Sequence, residues 1–325
     1  MSALDSPTRP PAVDPATATS DGATLEATLA RLNKLSMERH THAYDIDWDD
    51  PGFDVGPDGP PCELPVFDPL AATEWYRSLP DDERRRLALY RYGACMKIGW
   101  HFENLLQQGL LRHANQLPNG TPQFRYLHHE IVEESEHTLM FQEFVNRTGL
   151  PVRGMPRSLR WLAQHRVVPL AQHYPALFFL FVLGGEDPVD HLQRRQLKEE
   201  AGRMHPLVER IMRIHVAEEA RHLSFARHYL HDRTPKMGHA RRAVLSLAAP
   251  LVLGVMARLM VRPPGDLVRE FNIPKDVLRA AFDSPEGRQT LADSVTKTRK
   301  LWVELGLVGP ISRRLWKATG VWGTP

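Results

Sequence analysis

Residues 215 to 222 read HVAEEARH, with two histidines and two glutamates in eight positions and no Gly or Pro from Leu207 to Leu230. On an α-helix, residues at i, i+4 and i+7 share one face. His215, Glu219 and His222 therefore point the same way. Glu218 is turned about 100° from Glu219, toward solvent or behind the ligand face. Neutral imidazole nitrogens and carboxylate oxygens suit first-row transition metals. One such helix is also what a charged, solvated face looks like.

A second stretch shifts the balance. EIVEESEHTLMF, residues 130 to 141, contains Glu134 three positions before His137, a second Glu-x-x-His. Glu133 and Glu136 flank it, and Glu130 lies one turn earlier. An acidic surface is the plain alternative. Two iron or manganese ions in a helix bundle take a Glu-x-x-His from each of two helices and one Glu from each of two others. Two more helical stretches carry such an acid: Glu103 within WHFENLL, and Glu186 at the end of FLFVLGGE. A charge buried there needs a partner or a metal. Exposure on an amphipathic face for Glu103, or at a helix end for Glu186, would remove that need. Charge supports the set, since four carboxylates balance two divalent ions while His137, His215 and His222 stay neutral.

These residues must be carried by long helices, and the sequence has room for them. Proline-free apolar spacing runs from about Asp81 to Ala114. Thr121, Pro122 and Gly149 punctuate a second helix. A third is expected over about 168–201 and a fourth over about 206–233. Strand alternation is scarce, so the fold class is an all-α bundle. Gly184-Gly185-Glu186-Asp187-Pro188 reads as a helix break, either a simple division or a device that aims Glu186 at the metals and opens a path for substrate or O2. Asp187 and Asp190 are candidates for hydrogen bonds to ligand histidines, or for surface exposure. Met96, Gly99, Trp100, Leu106 and Gln107, near Glu103, are candidate pocket residues or core packing, and Lys97 or a distant arginine would have to reach in to bind an anionic substrate.

Around this core, residues 1–23 are expected to be disordered. Residues 24–68 hold a short helix, with Leu25, Leu29, Leu32 and Leu35 on one side, and then an extended arm. Residues 69–325 form a single domain with a helical extension from about 236. The apolar run 243–261 contains Pro250 and Arg258 and is marginal in length for a span. A buried bundle helix is favoured over membrane contact. Trp302, Trp316 and Trp322 could cover the bundle or meet a lipid-like substrate. With 41 Lys plus Arg against 39 Asp plus Glu, no nucleic-acid partner is expected. Two cysteines without a CxxC pair, and no apolar leader in the first thirty residues, point to the cytoplasm.

Glu103, Glu134-x-x-His137, Glu186 and His215-x-x-x-Glu219-x-x-His222 together resemble the p-aminobenzoate N-oxygenase family, the AurF-like di-iron oxygenases. The resemblance spans roughly residues 70–232, and His215, the third histidine, is its most specific feature. It implies a ferritin-like helical bundle, here with additional C-terminal helices, assembled as a homodimer. It implies Glu103, Glu134, His137, Glu186, His215, Glu219 and His222 as ligands to two Fe ions, with Mn as an alternative at one or both positions. O2 is the co-substrate, and a peroxo-di-iron species N-oxygenates an arylamine or other amine. Electrons come from an external ferredoxin or reductase. The alternatives are a di-iron C-hydroxylase or desaturase acting on an apolar substrate and, behind it, an iron-handling protein of ferritin type. Glu219→Ala is expected to lose at least one of two metals per chain, counted by plasma mass spectrometry on iron-supplemented protein. Full metal content with full activity would remove Glu219 from the set.

Overall fold

The helices begin and end where local chemistry allows. In the computed structural model, which describes residues 24–200 and 202–323, they are α1 (Leu25–Glu38), α2 (Glu74–Arg77), α3 (Asp81–Ala114), α4 (Pro122–Thr148), α5 (Arg157–Leu162), α6 (Leu170–His173), α7 (Pro175–Glu199), α8 (Pro206–Arg233), α9 (His239–Val261), α10 (Gly265–Glu270), α11 (Lys275–Phe282), α12 (Pro285–Asp293), α13 (Thr296–Glu304) and α14 (Pro310–Ala318). The described residues contain no strand. The disorder expected of residues 1–23 lies outside them.

Asp81, Asp82 and Glu83 occupy the first turn of α3, where negative charge complements the helix dipole. Thr121 Oγ1 accepts from Phe124 N at 3.2 Å to start α4, and Gly149 ends it at φ 61°, a left-handed conformation that glycine adopts without strain. The expected third helix is two. Tyr174 precedes Pro175, which disfavours helical backbone at the residue before it. Tyr174 sits at φ −148°, ψ 68° and separates α6 from α7.

The break expected at Gly184–Pro188 does not occur. α7 runs through all five residues with Pro188 inside it. Close packing accounts for the glycines instead. A Cβ on Gly185 would lie 2.1 Å from the Phe102 ring, and one on Gly184 3.0 Å from Val252. The same device recurs on α3, where a Cβ on Gly109 would lie 2.2 Å from Phe178. The Gly185–Phe102 and Gly109–Phe178 contacts let α3 and α7, which carry Glu103 and Glu186, approach closely.

α3 lies along α4, α7 is flanked by α8 and α9, and α1 crosses α4 and α8. Leu29 and Leu32 of α1 are buried. The following arm buries Ile46, Trp48, Val55 and Leu64 against the bundle. α9 is long and apolar enough to cross a membrane by length and composition, and half of its most apolar window is buried. Leu245, Ala249, Leu253 and Ala257 face inward, whereas Val244, Leu247, Leu251 and Val255 are exposed. α12 and α14 pack on α9, and α13 packs on α7. Trp302 and Trp316 are fully buried beneath these C-terminal helices.

Overpacking a dense core costs about 1–3 kcal/mol. Gly109→Ala is expected to lower unfolding free energy by about that amount in a denaturant titration. An unchanged midpoint would mean that Phe178 has room to swing aside.

Candidate metal centre

Four helices each deliver their expected donors to one buried volume: Glu103 from α3, Glu134 and His137 from α4, Glu186 from α7, and His215, Glu219 and His222 from α8. All seven side chains are buried. Donor atoms fall into overlapping trios, Glu103/His137/His215, Glu134/His137/Glu219 and Glu186/His215/Glu219, each within 4.8 Å. Glu219 Oε1 is central, at 3.0 Å from His222 Nδ1, 3.6 Å from His137 Nδ1 and 3.8 Å from His215 Nε2. Glu134 spans two histidines, with Oε2 at 3.4 Å from His137 Nδ1 and Oε1 at 2.9 Å from His222 Nδ1.

Each histidine presents one nitrogen to this volume and turns the other outward to a protein partner. His137 Nε2 lies 2.9 Å from Glu218 Oε2. His222 Nε2 lies 2.7 Å from Glu133 Oε2. His215 Nδ1 lies 2.9 Å from Gln193 Oε1. Such partners fix tautomer and ring orientation. Arg221 is buried between the two backing acids, 2.8 Å from Glu133 Oε1 and 3.6 Å from Glu218 Oε1. Glu103 is oriented as well. Thr138 Oγ1 donates to Glu103 Oε2 at 3.3 Å, Gln107 Nε2 donates to Thr138, and Ser135 donates to Gln107 Oε1.

Glu218 is thus a buried partner of His137. Asp187 and Asp190 are buried but touch no histidine of the centre, because their face of α7 turns toward the outer helices. Asp187 accepts from Arg227 and from the Thr298 hydroxyl. Asp190 accepts from Arg194 Nε at 2.6 Å and Lys297 Nζ at 2.8 Å. α13 therefore braces the turn of α7 that carries Glu186. Glu133 and Gln193 were not singled out as partners by spacing. Glu133 precedes Glu134 on a neighbouring face, and Gln193 lies two turns after Glu186, so both roles depend on helix packing.

The site is charged in a way that suits cations. Buried polar groups are normally paired, yet both Glu134 oxygens, Glu219 Oε2 and His137 Nδ1 make no hydrogen bond of acceptable geometry. These atoms face one another across the centre. Burial raises the Glu103 and Glu186 carboxyls well above their usual range, and neighbouring carboxylates add to it. Burial likewise raises Glu219 and lifts Glu130 to about 8. Burial opposes protonation of His137 and His222, but hydrogen bonds and charge from their carboxylate neighbours outweigh it and hold both well above 6.5. Burial also works against a charged Glu133, but the His222 hydrogen bond and the His222 and Arg221 charges hold it at about 2. Burial and the nearby His137 keep His215 neutral. Without metal, protons on His137 and His222 offset the carboxylates. Metal ions bound there would take the place of those protons.

The whole chain has relatives. The family described as p-aminobenzoate N-oxygenase AurF matches residues 22–306. The chain belongs to this family. It is 42% identical over 308 residues to Uncharacterized protein Rv0885 of Mycobacterium tuberculosis, covering 94% of this chain and 90% of the relative. Uncharacterized protein Mb0909 of Mycobacterium bovis has the same identity and coverage. No solved structure matches. AurF proteins are di-iron oxygenases, and the buried carboxylate and histidine groups of this chain form a centre able to bind metal.

A cavity of about 100 Å³ reaches the centre from one side, bounded there by Glu103, Glu186 and His215. Met96 and Gly99 line it, as expected. Trp100, Leu106 and Gln107 do not. Gln107 is held by Thr138 and Ser135, and Leu106 packs in the core. Phe102, Phe141, Gly185, Leu192 and Met212 complete the apolar wall, and Arg91 marks the far end.

Two outcomes follow from the electrostatics. A carboxylate raised in the fold stabilises it below its unfolded value and loses that contribution as pH rises through the folded value. Raised histidines act in the same direction. Between pH 6.5 and about 8, Glu130, His137 and His222 therefore all destabilise metal-free protein as pH rises. Thermal unfolding should show a falling midpoint without metal and a flatter profile with it; a flat metal-free profile would contradict this charge state. Glu133→Gln and Glu218→Gln should each weaken metal binding by about 10–100-fold, measured by chelator competition.

Proposed function

We propose that this protein is a non-haem di-iron, O2-dependent oxygenase that N-oxygenates a neutral arylamine. Glu103, Glu134, His137, Glu186, His215, Glu219 and His222 would hold the two iron ions. Glu134 and Glu219 each face more than one histidine and would offer oxygens at the heart of the set. Iron reduced by an external ferredoxin or reductase supplies the O2 chemistry. The protein's residues orient the ligand nitrogens, neutralise the buried charge and exclude water. A cytoplasmic homodimer is part of the same reading. Family membership supports the dimer, and two free cysteines, Cys62 and Cys95, fit a reducing compartment.

The cavity carries the substrate assignment. Its apolar wall suits an aromatic body with the amine at the Glu103–Glu186–His215 end. Arg91 is the cation at the other end, twelve residues earlier on α3 and so about 18 Å away along the helix. Its guanidinium is already engaged. Nη2 donates to Met260 O and Val261 O at 2.9 and 2.6 Å, and Nε lies 3.5 Å from Asp68 Oδ2. Lys97 donates to Gln142 and lies over the Trp100 ring, and it is absent from the cavity lining. An anionic benzoate would find no free cation here, so a neutral amine is the better fit.

Iron-loaded protein with reductant and O2, offered arylamines with and without a carboxylate, tests this by mass spectrometry of products. Oxygen added at nitrogen, with neutral amines preferred, is expected. Oxygen found on carbon would instead favour the hydroxylase reading, which the apolar wall also accommodates. Gly99→Leu fills the cavity beside Phe141 and should lower kcat/KM at least tenfold while both irons remain; unchanged turnover would place the substrate elsewhere.

A further inference from the structure

One more group of metal-type donors comes together among the described residues, at the surface: His40, His42 and Glu136. His40 and His42 belong to the segment that follows α1. Glu136 projects from α4 beside His137, but outward. His42 Nδ1 lies 3.1 Å from Glu136 Oε1. The two imidazole rings stand edge to face with centroids 4.5 Å apart. One donor atom from each of the three residues lies within 4.8 Å of the others.

The segment is held in place by its backbone. Arg221 Nη2 donates to Arg39 O at 3.3 Å. Thr41 N donates to Glu218 Oε1 at 3.1 Å, and Ala43 N to Glu136 Oε2 at 2.8 Å. Trp48 Nε1 donates to Ala43 O at 2.9 Å. The histidines are thus presented from a fixed strip of chain, so less ordering is needed when a ligand binds.

We propose that His40, His42 and Glu136 form a third metal site, on the surface, for a divalent first-row transition ion. Two imidazoles and one carboxylate leave open positions for water and suit such an ion, whereas calcium and magnesium require mostly oxygen donors. Donors about 2.0–2.2 Å from a tetrahedral ion stand about 3.3 Å apart. The His42–Glu136 pair already has that spacing, and the half-exposed His40 closes the set by a small side-chain movement. Thr41, between the two histidines, binds the carboxylate that backs His137. One peptide therefore links this surface site to the partners of the buried centre.

The test uses protein whose buried centre is already loaded with iron. It is equilibrated with Co²⁺, freed of unbound ion by gel filtration, and its iron and cobalt are counted separately by plasma mass spectrometry. One cobalt per chain is expected in addition to the iron. His40→Ala and His42→Ala, both at the surface, should each weaken cobalt binding at least tenfold while iron content and thermal midpoint stay unchanged. Absence of the additional cobalt, or its retention in either variant, overturns the proposal. Because iron is counted independently, failure of the surface site is distinguishable from failure of the buried one.

Discussion

Four carboxylates converging in the interior of a helical bundle are the constraint on which the rest of this structure depends. Burying even one charge is costly unless a counter-charge and hydrogen bonds meet it. Here Glu103, Glu134, Glu186 and Glu219 are all buried, with Glu130, Glu133 and Glu218 close by. Beside these acids stands the buried guanidinium of Arg221, between Glu133 and Glu218. The four inner acids are left to protons or metals. On the inner side both Glu134 oxygens, Glu219 Oε2 and His137 Nδ1 have no hydrogen-bond partner, and these are atoms that a metal could take.

The outer helices serve that arrangement. Helix α7 carries Glu186 at the end of an apolar run. It is fixed from behind, where Asp187 takes Thr298 and Arg227 and Asp190 takes Lys297 and Arg194. Thr298 and Lys297 belong to α13. The C-terminal extension thus has a physical role at the centre without contributing a donor to it.

What was legible in the sequence was whatever a single helix determines. The i, i+3, i+4 and i+7 spacings brought out Glu134, His137, His215, Glu219 and His222, Glu103 and Glu186 stood out as acids in apolar stretches, and the caps at Thr121 and Gly149 bounded α4. What needed the register between helices was not legible. Glu218 and Glu133 back histidines on α4 and α8 because those helices pack at one particular offset. Gly184-Gly185-Glu186-Asp187-Pro188 looked like a break because proline removes a helix hydrogen bond, but the glycines make room for Val252 and for the Phe102 ring on other helices. Tyr174 is the contrary case: the signal before Pro175 was present, and local chemistry alone divides α6 from α7.

The three histidines are not equivalent, and the difference has a direction. A carboxylate partner raises the basicity of a ligating imidazole more than a neutral amide does. His137 and His222 have carboxylates behind them, while His215 has Gln193. Under the proposed assignment His215 is the most weakly donating of the three. Both His215 and Gln193 line the cavity, whereas the carboxylate-backed histidines lie away from it. Metals bound by this set would thus be held most firmly on the closed side and least firmly where the cavity reaches them. An oxygenase needs that asymmetry, since coordination positions must open toward O2 and substrate while the metals stay bound. It also gives the third histidine a reason to be there: it would add a neutral nitrogen donor on the open side without adding a fifth charge to a site that four carboxylates and two divalent ions would balance.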